Sequence, residues 1–82
     1  MITFVANIAD MENYRIWSRI AAVISYNMTP EMVGCWKENG YEGLFDLVEP
    51  RFGMNRMYRN NNGDVAFEFT PEQWTWFALR WL

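Results

Sequence analysis

Histidine is absent from this 82-residue chain, and cysteine occurs once, as Cys35. Without imidazole, the side chain most often used for proton transfer near neutral pH is missing, so Ser–His and Cys–His nucleophile pairs are excluded. A single thiol rules out an intramolecular disulfide framework and a thiolate zinc cluster. No apolar run approaches the roughly 20 residues of a membrane-spanning helix. A glycine-rich phosphate loop, a calcium loop and metal ligands at a recognisable spacing are missing too. No cofactor, no metal and no enzymatic activity are the expectations that follow.

What is present is apolar and aromatic. Hydrophobic residues make up 51% of the chain and charged residues 21%, a balance that excludes a disordered segment. A chain this short buries roughly 64% of its unfolded surface, which suffices for one core and one domain over residues 1–82. The net charge of −3 is mild, too weak for a DNA mimic and of the wrong sign for a general nucleic-acid binder. Its distribution is uneven. Residues 1–50 carry seven acids against Arg15, Arg19 and Lys37, whereas residues 51–82 carry Arg51, Arg56, Arg59 and Arg80 against three acids. The segment RFGMNRMYRNNN (51–62) holds three arginines and no acid, the one basic patch of the chain. The N-terminal MITFVANIAD has no positive residue ahead of its apolar stretch, so it does not read as a secretory signal; with the unpaired thiol, this points to a cytoplasmic protein with no membrane partner.

The pattern of residues predicts an α+β domain in the order β-α-α-α-β-β-α. Ile2–Ile8 is β-rich and short. From Asp10, a plausible cap, the period becomes helical, with Tyr14, Ile16, Trp17, Ile20, Ala21, Val23 and Ile24 on one face and Glu12, Arg15, Ser18, Arg19 and Ala22 on the other. This helix is expected to end near Asn27 in a left-handed cap. Thr29-Pro30-Glu31 opens a second helix, with Met32, Val33 and Trp36 on its apolar side, and Gly40 stops it. A shorter helical turn over Gly43–Val48 is expected to close at Pro50. Met54–Arg59 and Asp64–Phe69 flank an Asn-Asn-Asn-Gly turn and read as a hairpin. Thr70-Pro71-Glu72-Gln73 opens the last helix with a capping box. A small antiparallel sheet, formed by the N-terminal strand and this hairpin with the helices on one side, satisfies all these elements.

Few residues suggest chemistry. Cys35 has no histidine to activate it and no cation beside it, so it reads as a structural thiol. Asp46 and Glu49 could be imagined as an acid–base pair, but a solvated helix face explains them as well.

The stretch Ala22–Trp36 sets Val23, Asn27, Met28, Thr29, Val33 and Trp36 where a helix-turn-helix wants a small residue, a turn, an apolar residue, a cap and two core positions. VGCWKENGYEGLFDLVEPRFG, with its valine, tryptophan and Gly-x-x-Gly-Leu, resembles the helix-turn-helix regions of insertion-sequence transposases and related regulators, over about residues 22–53. TPEQ at 70–73 is similar to the start of their next helix. The resemblance implies DNA binding. Against it, the outward positions of the second helix are Pro30, Glu31, Gly34, Cys35 and Glu38, and two carboxylates there would repel a duplex. Arg51, Arg56 and Arg59, used as a wing, are the better candidates for nucleic acid.

Five tryptophans, six phenylalanines and four tyrosines are more ring surface than a small core readily hides. In the last helix Trp74, Phe77, Ala78, Trp81 and Leu82 share one side, whereas Trp76, Leu79 and Arg80 fall about 140–240° away from Trp74. Tryptophan, tyrosine and arginine dominate binding hot spots, and six methionines add deformable apolar surface. The leading expectation is therefore a small protein-binding module, an inhibitor or adaptor of the kind that phages and mobile elements direct at host machinery. It would use Trp76, Leu79 and Arg80 as anchors and Arg56, Tyr58 and Arg59 as a polar rim. The partner would be another protein or, as a homodimer, a second copy.

Overall fold

The computed structural model describes all 82 residues, Met1–Leu82. The elements are β1 (Ile2–Val5), α1 (Met11–Tyr26), α2 (Pro30–Asn39), α3 (Glu42–Phe52), β2 (Arg56–Arg59), β3 (Val65–Phe69) and α4 (Pro71–Trp81). This is the α+β order read from the sequence, with four helices and three antiparallel strands arranged β1-β3-β2.

The helix starts follow their caps. Asp10 accepts the Asn13 N–H at 3.1 Å, Thr29 accepts the Met32 N–H at 3.2 Å, and Thr70 and Gln73 form the reciprocal capping box of α4. Helix ends depart from expectation in two places. Asn27 closes α1 without left-handed backbone (φ −118°); its Nδ2 donates to the Val23 carbonyl at 2.8 Å, and that bond replaces the expected turn geometry. Pro50 does not close α3 but lies inside it. Proline removes its own N–H donor there and crowds the Asp46 carbonyl, yet the helix continues: the Gly53 and Met54 amides both donate to the Glu49 carbonyl, and Val48 and Phe52 are buried. Gly53, at φ 67° and ψ 33°, supplies the left-handed cap three residues later than expected. The N-terminal strand is also shorter than Ile2–Ile8, since Asn7 folds back to donate to the Val5 carbonyl.

The hairpin turns as its asparagines suggest. Asn60 Oδ1 accepts the N–H groups of Asn62 and Asp64, both at 3.0 Å, and Gly63 takes φ 82°.

Register assigns the two sheet faces. Phe4, Met57 and Phe67 lie across from one another, as do Ile2 and Phe69, and this face carries the core. Against it pack Ile20 and Ile24 from α1, Met32 from α2, Leu44, Val48 and Phe52 from α3, and Phe77 from α4, all buried. Thr3, Val5, Arg56, Tyr58, Ala66 and Glu68 lie on the opposite face. Ala66 is nevertheless buried, since Val5 and Tyr58 flank it on both neighbouring strands. The core is built of rings: Phe69 meets Trp74 and Phe77 at centroid distances of 5.2 Å each, and Trp17 stacks on Phe67 at 5.5 Å.

Candidate functional site

Helix α4 is anchored on one side and bare on the other. Phe77 is 2% exposed against the sheet, Trp74 lies stacked on it at 5.9 Å, and Trp81 meets Phe52 at 5.2 Å. On the other face of the same helix, Trp76 is 69% and Leu79 78% exposed. Arg80 lies beside them and is also exposed, its guanidinium 5.2 Å from the Trp81 ring centre. Two large apolar side chains on a helix fixed by its buried face form a rigid protruding surface.

Next to this surface the end of α3 meets α4 in a recess of about 290 Å³. Arg51, Gly53, Gln73, Trp76, Arg80 and Trp81 are among its lining residues. Arg51 and Arg80, which entered the sequence argument for different reasons, thus border one recess. Neither guanidinium takes part in an ion pair or hydrogen bond; that of Arg51 lies 5.9 Å from the Phe52 ring centre.

The remaining basic candidates lie elsewhere. Arg56 belongs to the sheet face opposite the core, where it lies 4.3 Å from the Tyr58 ring centre. Arg59, three residues on, falls on the core side of β2, where its Nε donates to Glu42 Oε1 at 2.8 Å and its Nη1 donates to the Gly63 carbonyl at 2.7 Å. That guanidinium holds the Glu42 carboxyl below its ordinary value, chiefly through the hydrogen bond. Arg51, Arg56 and Arg59 therefore do not share one stripe, and the hairpin arginines face opposite sides of their own strand.

A larger cavity, about 500 Å³, opens between α1, the α2–α3 turn and the hairpin, with Trp17, Ile24, Leu44 and Phe67 in its wall and the exposed rings of Trp36 and Tyr41 at its margin. It has no counterpart in the sequence reading. Trp36, expected on the apolar side of α2, is 44% exposed because it stands at this mouth and not in the core. Methionine is likewise more structural than expected: Met32, Met54 and Met57 are buried.

Glu49 has a structural task, since its Oε2 accepts the Met57 N–H at 2.9 Å, while Asp46 is exposed. Cys35 is half-buried on α2. No three His, Cys, Asp or Glu side chains converge in a group that could hold a metal ion, and no helix is long and apolar enough to cross a membrane. No family model, curated protein or solved structure matches this chain.

Proposed function

We propose that this domain is a non-enzymatic protein-binding module that docks the bare face of α4 on a partner and acts as an inhibitor or adaptor by steric occlusion. The observation that carries this reading is the exposure of Trp76 and Leu79 on a helix whose opposite face is locked into the core by Phe77. Such a helix face enters a groove without the cost of ordering its backbone, and indole and guanidinium are among the groups that most often carry binding energy. Arg80 and Arg51 border the recess beside Trp76, whereas Arg56 and Tyr58 lie on the sheet face opposite the core and Arg59 on its core side. The setting is the cytoplasm, where the lone thiol of Cys35 stays reduced.

The test is site-specific photocrosslinking in the source cells, with a benzophenone amino acid at Leu79 and, as control, at the exposed α1 residue Ser18. A discrete protein adduct from position 79 and none from position 18 supports the reading. An adduct of twice the chain mass identifies a second copy as the partner. Identical adducts from both positions, or none, reject it. Tight binding to duplex DNA that falls steeply with salt replaces it with the regulator reading implied by the helix-turn-helix resemblance.

A further inference from the structure

The recess beside Trp76 is lined by basic residues without an acid. The whole chain carries a net −3, yet Arg51 and Arg80 border this single hollow and no Asp or Glu lines it. Among its uncharged residues, Gln73 adds a donor. Gln73 already receives the Thr70 N–H on its oxygen, which leaves its amide N–H groups as donors. The two guanidiniums are held near the rings of Phe52 and Trp81, so they are positioned without being neutralised. An anion seated in the recess meets guanidinium donors from both α3 and α4.

We propose that this recess binds a carboxylate side chain of the partner polypeptide, with an adjacent apolar residue of the same segment covering Trp76 and Leu79. The proposal rests on the docking role of α4 and specifies the partner's chemistry: a short acidic segment that also carries an aliphatic residue. Guanidinium and carboxylate match in planar, two-point geometry. A polypeptide suits this surface better than a nucleic acid. Two arginines supply few phosphate contacts, the net charge of −3 opposes a polyanion, and Leu79, the most exposed side chain of the patch, offers aliphatic surface that suits an apolar side chain.

The experiment is a titration of the isotope-labelled protein with two synthetic peptides, Gly-Ser-Asp-Leu-Asp-Ser-Gly and its counterpart with Asn at both Asp positions, and with a single-stranded oligonucleotide. The expected result is movement of the Trp76 indole N–H and the Arg51 and Arg80 Nε–H signals, with the Asp peptide binding about tenfold tighter than the Asn peptide. Arg51→Gln and Arg80→Gln, both at exposed positions and verified as folded by their spectra, abolish that preference. Equal binding of the two peptides with the Trp76 signal still moving overturns the carboxylate site and leaves the docking face standing. Silence at all three signals also overturns it, and the crosslink at Leu79 then decides separately whether α4 docks at all. A stronger response of the same signals to the oligonucleotide overturns it in favour of nucleic acid.

Discussion

Asn13 Oδ1 accepts the Val5 N–H at 2.8 Å, and the same side chain donates from Nδ2 to the Thr3 carbonyl at 3.1 Å. One amide thus makes the donor–acceptor pair that a fourth strand would make along the outer edge of β1. At the other edge of the sheet, Glu49 takes the Met57 N–H. Open strand edges recruit further strands, and both edges of this three-stranded sheet are occupied by side chains from the helices above it.

Replacing Asn13 with Ala leaves two part-buried backbone groups without partners and should destabilise the fold by about 1–3 kcal/mol. Asn13→Asp keeps the acceptor for Val5 but turns a carboxylate toward the Thr3 carbonyl, so it should destabilise more at pH 7 than at pH 3, where the acid is neutral and can donate. Urea unfolding of the three proteins, with amide exchange at Val5, measures both effects. An unchanged Val5 exchange rate in Asn13→Ala would remove the edge role.

Two helical glycines, Gly34 within α2 and Gly43 in the first turn of α3, should respond to alanine with opposite sign. At Gly34 an added methyl meets nothing within 4 Å, so Gly34→Ala should stabilise by about 0.5–1 kcal/mol through backbone entropy and helix propensity. At Gly43 the same methyl would stand 2.7 Å from Asn39 Cβ and 3.1 Å from the Cys35 carbonyl oxygen, where α2 and α3 pack together. Separating two packed helices costs about 1–3 kcal/mol, which outweighs the propensity gain. Denaturation midpoints for both variants decide the matter; a stabilised Gly43→Ala would show that the α2–α3 approach is soft.

These two pairs of residues show what the chain makes legible locally and what it does not. Caps at Asp10, Thr29 and Thr70, the asparagine-rich turn and the two-sided character of α4 are local patterns, each readable within a few residues. Asn13 and Glu49 look in sequence like any polar helix residue, because their partners lie eight residues away on a strand whose position only the tertiary fold defines. Pro50 misleads for the same reason: burial of Val48 and Phe52 outweighs the lost hydrogen bond. The 500 Å³ cavity joins residues from Ala6 to Phe67, so no window of sequence contains it. The recess beside Trp76 was half visible, since helical angles separate Trp76, Leu79 and Arg80 from the core, but its second arginine comes from the end of α3.

The Glu42–Arg59 pair gives a pH dependence of definite sign. Its folded carboxyl is held below 4.5, the ordinary value, so the pair contributes to stability above about pH 4.5 and loses that contribution as pH falls through the lower folded value. Glu42→Gln should therefore be slightly less stable than the parent at pH 7, where the pair is intact but largely solvent-exposed, and equal to it at low pH, where Glu42 is protonated, so its stability falls less steeply below pH 4.5. Urea midpoints between pH 2.5 and 7, beside a carbon-detected titration of Glu42, test this; parallel curves for the two proteins would show that the pair contributes nothing.

Neighbouring positions on α4 separate contact from core. Trp76 is 69% exposed, so Trp76→Ser should leave stability within about 0.5 kcal/mol of the parent. Phe77 is 2% exposed and meets Phe69 and Trp74, so Phe77→Ala should remove about 3–5 kcal/mol, enough to threaten folding of so small a domain. The partner adduct formed from Leu79 should respond in the opposite order: absent in the folded Trp76→Ser protein, and retained by Phe77→Leu, which keeps apolar volume in the core. Circular dichroism melts establish folding before either adduct is compared. If Trp76→Ser unfolds the protein, the indole belongs to the core and α4 has no free binding face; if it folds and still forms the adduct, the contact is made without Trp76.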